Sequence, residues 1–314
     1  LDRATLLLPA AARFGGQRPD EAVARALGRA DRVTRGADGR RAQLLRHFEL
    51  VPNHWPMAAL TRQADAGDAA GAAWLRADPA HVRPDINGAR LLAIGESLAL
   101  TGEDVAAFLP ALRPLFGDAG FPIDAPDPSR WYLRLPAGAK LPAFTAPDEA
   151  LGADLFEHLA EGSEGRRWRV LLGEAQVVLH NHPWNQRRIA QGRLPVNSLW
   201  FWGGGALPDF VRTRHAVVHS DEEEARALAH AAGVAAPLPP RFDAASGATD
   251  AVFDLSAHRD LAAIERDWLA PALAALAGGA LRALALDVGD GSGFELARAH
   301  RWRFWRRPLA RLDA

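Results

Sequence analysis

Short apolar runs alternate with helix-period segments at both ends of the chain, and this alternation narrows the fold more than any other feature. Thr5-Leu6-Leu7-Leu8 reads as a buried strand, and Asp20 to Ala30 follows with Ala22, Val23, Ala26 and Leu27 at helical spacing before Gly28 and Gly36. Farther on, Ala216-Val217-Val218 precedes a helix from Asp221 to Ala232, Ala251-Val252-Phe253-Asp254 precedes a helix from Leu261 to Leu276, and Leu281 to Val288 closes the series as a strand. Strand-helix alternation at this spacing predicts an α/β protein with a mainly parallel, doubly wound sheet.

The middle of the chain reads differently. Trp74 to Asp85 is an extended segment with a turn at Asn87-Gly88, and Thr101 opens a helix with Asp104 as its capping-box partner. Phe116 to Arg130 is a Gly-, Pro- and Asp-rich loop leading to the strand Trp131 to Leu135. Arg167 to His180 is an amphipathic helix with Val170, Leu171, Ala175, Val178 and Leu179 inward; Trp184 to Ala190 is a short helix, and Val196 to Trp202 is a strand. The expected organisation is a discontinuous core, residues 1–75 and 206–314, with an inserted α+β domain at 76–205.

Hydrophobic residues make up 48% of the 314 and charged residues 24%, enough to bury a sizeable core. Lys plus Arg, 37, balances Asp plus Glu, 38, so no net field favours nucleic acid or an anionic surface. The absence of cysteine excludes disulfides, thiolate nucleophiles and Cys-ligated metals. The apolar start is too short for a signal sequence, no run is long enough to span a bilayer, and a cytoplasmic location is expected.

The most distinctive motif runs His182-Pro183-Trp184-Asn185-Gln186-Arg187-Arg188, then Gly192, Pro195 and Asn197, and ends in Gly203-Gly204-Gly205. Pro183 opens a helix whose free N–H groups, with His182 and two arginines, suit an anion; the bland reading is a capped helix with a solvated basic face. The motif resembles the His-Pro-Ile-Asn, basic stretch, Pro-Ala-Asn and Gly-x-Gly segment of archaeal-type cofactor-independent phosphoglycerate mutases, members of the alkaline phosphatase superfamily. Arg83 to Leu109 resembles the start of that family's inserted domain, and Ala251 to Asp254 with His258-Arg259-Asp260 and Ile264 to Asp267 resembles its strand and helix near the metal site.

The resemblance implies a small phosphorylated acid held by His182, Asn185, Arg187 and Arg188, with Arg83 and Arg134 as second contacts. It also implies two metal ions and a serine nucleophile, and here the chain departs from the pattern. Leu6-Leu7-Leu8-Pro9-Ala10 lacks the first strand's ligand, and Asn53-His54-Trp55-Pro56 stands where the serine would be. Asp254, His258, Asp290 and His300 are the candidates for a single Mn or Mg ion, against the plainer reading of strand-end polar residues.

At the end of the chain, Arg301-Trp302-Arg303-Phe304-Trp305-Arg306-Arg307 interleaves arginine with aromatics. A terminal strand with its rings on the core is expected there, in preference to a single-stranded nucleic-acid platform. The leading functional expectation is a catalytically degenerate, mutase-like protein that binds a phosphorylated acid in a regulatory role. The alternatives are an active mutase or phosphatase with a rearranged one-metal site, and a protein-interaction module using exposed Trp200 and Trp202.

Overall fold

The structure is a computed structural model, and it describes residues 1–86, 88–244 and 249–312. Asn87, half of the expected Asn87-Gly88 turn, lies outside them. The strands are β1 (Arg3–Leu8), β2 (Asp31–Thr34), β3 (Glu49–Val51), β4 (Ala73–Asp85), β5 (Gly88–Ile94), β6 (Ile123–Asp127) and β7 (Arg130–Leu135), then β8 (Ser198–Ala206), β9 (Phe210–Arg212), β10 (Val217–His219), β11 (Ala235–Ala236), β12 (Asp250–Asp254), β13 (Ala283–Val288) and β14 (Ser292–Ala297). The α-helices are α1 (Glu21–Arg29), α2 (Arg40–Leu45), α3 (Met57–Ala66), α4 (Gly102–Asp118), α5 (Pro147–Ala150), α6 (Gly162–His180), α7 (Trp184–Ala190), α8 (Glu223–Ala231), α9 (Leu261–Ile264) and α10 (Ala270–Gly278).

The chain divides into two units, residues 1–51 with 210–314, and residues 52–209. These boundaries differ from the expected 75/76 and 205/206. Residues 52–75 pack with the second unit because α3 lies on β4 and β8, burying Ala58 and Ala59 beside Trp74 and Tyr132.

In the first unit the sheet order is β11-β10-β12-β1-β13-β14-β2. β1 is parallel to β12 on one side and β13 on the other, β10 is parallel to both of its neighbours, and β14 runs antiparallel between β13 and β2. The sheet is therefore mainly parallel. Ala4, Leu6 and Leu8 point to a core filled by Val23 and Leu27 of α1 and by Leu261, Ile264, Trp268, Ala272 and Leu276 from the α9–α10 region. Residues 265–269 between those helices form a π-helical turn, so the single helix expected there is broken by a widened turn.

The second unit is an antiparallel sheet, β5-β4-β7-β6 with β8 on β4, packed against α4 and α6. α4 runs to Asp118 and β6 covers 123–127, so most of the stretch expected to be a loop is regular structure. Val170 points outward on α6; Trp168 and Leu172 take the inward positions with Leu171, Ala175 and Leu179. Trp200 and Trp202 are buried, at 3% and 4% exposure, because their indole N–H groups bond Thr145 O and the Asp78 carboxylate inside the unit. They offer no interaction surface.

The chain's last segment is not a strand. A 3-10 turn covers Arg298–Trp302, and Trp302, Phe304 and Trp305 project outward while Leu309 and Leu312 reach the core instead.

Candidate functional site

In open parallel sheets, ligand chemistry gathers beyond the carboxyl ends of the strands. Register places Leu7 of β1 between Asp254 of β12 and Asp287 of β13, on one row and therefore on one face of the sheet. With strands about 4.8 Å apart, the two aspartates stand roughly 10 Å from each other with an aliphatic residue between them. Both carboxylates are fully buried, Asp254 as the last residue of β12 and Asp287 as the last but one of β13.

The short helix α2 supplies a cation to each. Arg40 makes a two-pronged ion pair with Asp254, its Nη1 donating to Oδ1 at 3.2 Å and its Nη2 to Oδ2. Arg46, one residue past the helix, does the same to Asp287, with Nε to Oδ2 at 3.0 Å and Nη2 to Oδ1 at 2.6 Å. Between them Gln43 donates to the carbonyls of Leu8 and Asp287, fixing the helix over the strand ends. Ser220 and Ser256 also donate to Asp254. Burial alone would raise the Asp254 carboxyl, but the charge and hydrogen bonds of Arg40, with the two serines, hold it below the usual carboxylate range. Asp287 is lowered likewise, His47 and Arg46 outweighing its burial.

A buried polar chain continues from Asp287. His47 Nε2 meets Asp287 Oδ2 at 2.9 Å, His47 Nδ1 meets His215 Nε2 at 3.0 Å, and His215 Nδ1 meets Asp250 Oδ1 at 2.9 Å. Burial pushes the His215 imidazole below the ordinary histidine value, against the pull of Asp250.

These residues do not fit a divalent metal. Arginine, histidine and serine donors cover the carboxylates of Asp254 and Asp287, where a cation would need their lone pairs. Nor do the four proposed ligands gather. Asp290 accepts from the backbone N–H of Ala11 and Ser292 and from the Ser292 hydroxyl. His300 follows β14, whose Ala297 pairs with the first residue of β13, so it lies at the opposite end of the sheet from Asp254, within 3.4 Å of Asp31. His258 is half-buried, with Nδ1 unpartnered. Among the described residues, no three His, Asp or Glu side chains are placed to share an ion.

In the second unit the distinctive motif serves mainly as scaffold. Asn185 is buried, donating to the Leu179 and Val196 carbonyls and accepting from Val196 N. Arg188 is buried too, bonded to Leu194 O and Leu98 O and paired with Asp104 at 2.9 Å. Asp104 also accepts from Thr101 N, as its capping role predicts, and from Trp184 Nε1. His182 rests on Phe108 with ring centroids 4.9 Å apart, and burial lowers its pKa.

Arg187 is exposed and stacks over Trp184, and Arg83 is exposed near the end of β4. Arg83 follows Val82, which Asn197 ties to the start of β8 through both backbone groups. Arg134 pairs across from Trp74, nine residues back along β4, so it stands roughly 30 Å from Arg83 and cannot share its ligand.

Sequence reasoning passed over Arg40, Arg46, His47, His215 and Asp287. The available signal was a lone aspartate ending each apolar run, Val252-Phe253-Asp254 and Leu284-Ala285-Leu286-Asp287. It also passed over an arginine–aromatic stack in the second unit, where Arg62 and Arg76 lie over Trp74, Tyr132 and Trp202 and bond Asp68, Asp124 and Asp78.

No family model matches the chain. A probable 2,3-bisphosphoglycerate-independent phosphoglycerate mutase of Geobacter sulfurreducens is 40% identical over 62 residues, 20% of this chain and 16% of that protein. The Methanosarcina barkeri 2,3-bisphosphoglycerate-independent phosphoglycerate mutase is 40% identical over 70 residues, 22% of this chain and 18% of that protein. The match thus spans less than a fifth of these curated relatives' length. Among solved structures, the cofactor-independent phosphoglycerate mutase of Thermoplasma acidophilum aligns over 95% of this chain and 90% of its own at 15% identity, with a TM-score of 0.40. The PH0037 protein of Pyrococcus horikoshii aligns over 98% and 91% at 11% identity, with a TM-score of 0.47. Over a segment of about a fifth of its length, the chain is similar to 2,3-bisphosphoglycerate-independent phosphoglycerate mutases.

Proposed function

We propose that this protein is a phosphoglycerate-mutase relative that performs no metal-dependent phosphoryl transfer and works in the cytoplasm as a sensor or regulator, binding a small phosphorylated acid. The observation that carries the reading is the pair of arginine–aspartate clamps at the strand ends, Arg40 on Asp254 and Arg46 on Asp287. A two-metal clamp stabilises attacking and leaving oxygens with mobile positive charge; a guanidinium already bonded to a buried carboxylate has little charge left to offer. Leu7 stands between the two aspartates, and the segment Asn53 to Pro56 carries no hydroxyl nucleophile.

The names of the relatives support the ligand class. The exposed arginines Arg83 and Arg187, with His182, are its candidate contacts; Asn185 and Arg188 shape the surface without touching the ligand. Purified protein with manganese or magnesium should interconvert 2- and 3-phosphoglycerate no faster than buffer. 3-Phosphoglycerate should nonetheless raise the melting temperature of the wild type, and do so less in Arg83→Ala and Arg187→Ala. Absence of any shift at high ligand concentration removes the binding role. A second reading, an active mutase or phosphatase with a rearranged site, has the enzyme names of the relatives in its favour. A turnover near the common enzyme median of about 10 per second would establish it instead.

A further inference from the structure

The segment from Leu296 to Leu312 contains six arginines, at 298, 301, 303, 306, 307 and 311, and no acidic residue. Its backbone is held firmly. Arg303 donates to Arg29 O and pairs with Asp31, Arg306 donates to Ala30 O, Arg29 donates to Arg301 O, and Leu309 N bonds Ala24 O. Leu309 and Leu312 are sunk in the core. Between these anchors Trp302, Phe304 and Trp305 are 64%, 77% and 69% exposed. Three large rings held outward on a fixed backbone, with arginines before and after them in sequence, suit an occupant that is anionic at its surface and apolar just beneath.

We propose that this aromatic tip is a docking point for an anionic lipid surface. Trp and Phe partition to the boundary between headgroups and acyl chains, and arginines alongside them gain from acidic headgroups. The contact would be peripheral; among the described residues no helix is long and apolar enough to cross a membrane. Single-stranded nucleic acid shares the charge but asks for free ring faces along a groove. Here Arg301 already covers one face of Trp302, with 4.8 Å from guanidinium to ring centroid, and Phe304 meets Trp305 edge to face at 5.4 Å and 81°. Insertion into lipid uses ring edges and leaves both contacts in place.

Flotation of the whole protein with phosphatidylcholine vesicles, with and without phosphatidylglycerol, tests this. Binding is expected only to the anionic vesicles, weakening with salt, with a blue shift of tryptophan fluorescence. Arg307→Gln and Arg311→Gln should each weaken it about fivefold. The triple variant Trp302→Ala, Phe304→Ala, Trp305→Ala should abolish it at an unchanged melting temperature. Equal binding to neutral vesicles, no binding at low salt, or full binding by the triple variant overturns the proposal. So does a wild type that fails to float but binds oligothymidine or self-associates through the same rings. If the triple variant does not fold, the two arginine variants decide: undiminished flotation by both overturns the proposal.

Discussion

Arg40 and Asp254 form one of the two charge clamps at the strand ends. The carboxylate is fully buried and the guanidinium side chain is 16% exposed, so removing either leaves a charge without compensation in a low-dielectric place. Arg40→Ala should cost about 3–5 kcal/mol in urea unfolding, the range for breaking a buried pair. Adding Asp254→Asn to that variant should recover part of the loss. A single variant within about 0.5 kcal/mol of wild type would mean that Asp254 finds another partner. This pair also marks how far residues can be read from sequence. Asp254 stands out in an apolar strand, but its partner is 214 positions away, and no local pattern names Arg40 among 37 basic residues. Val170 and Trp302 show the converse. Each has the spacing or the character of a core residue, and tertiary packing leaves each exposed.

At the scale of elements, α1 shows a glycine whose role sequence reading misplaced. Gly28 was expected to mark the helix exit, yet it lies inside α1, which ends at Arg29. A Cβ added there would stand 2.1 Å from the carbonyl oxygen of Arg307, where the last segment crosses the helix. Glycine to alanine inside a helix ordinarily gains about 1 kcal/mol. Gly28→Ala should instead cost about 1–3 kcal/mol through overpacking and should loosen the Arg303 and Arg306 anchors, which proteolysis after arginine would reveal. A stabilised Gly28→Ala would show that the crossing can lift away cheaply. Elements with strong internal periodicity and caps, such as α1 with Asp20 as N-cap, α4 with Asp104, and β1, were legible in kind and in place, with ends off by up to three residues. The C-terminal segment was not, because alternating arginines and aromatics fit a strand as well as a turn, and only its anchors on residues 24–31 decide between them.

For the molecule as a whole, acid should act in two stages. Burial lowers the pKa of His81, His182 and His215, so the unfolded chain binds protons that the folded one resists. Stability contributed by these neutral rings is full above about pH 6.5 and falls as pH drops below it. The lowered carboxylates of Asp104, Asp254 and Asp287 add a second loss that begins below about pH 4. Melting temperature followed from pH 8 to 3 should show both steps, and Asp254→Asn should shrink only the lower one. A flat profile between pH 7 and 5 would count against the histidine stage.

The division into units has a kinetic counterpart. Residues 52–209 form one unbroken stretch, whereas the other unit joins residues 1–51 to 210–314, and its central strand β1 has both neighbours, β12 and β13, in the later part. On a ribosome, β1 emerges before both its neighbours and must wait for partners made some 250 residues afterwards, while the middle stretch already holds all its own strands. Pulse-labelled hydrogen exchange should find β4, β7 and β8 protected before β1. During synthesis the apolar run Leu6-Leu7-Leu8 is thus an unpaired strand whose neighbours have yet to be made, open in the meantime to pairing with the wrong partner.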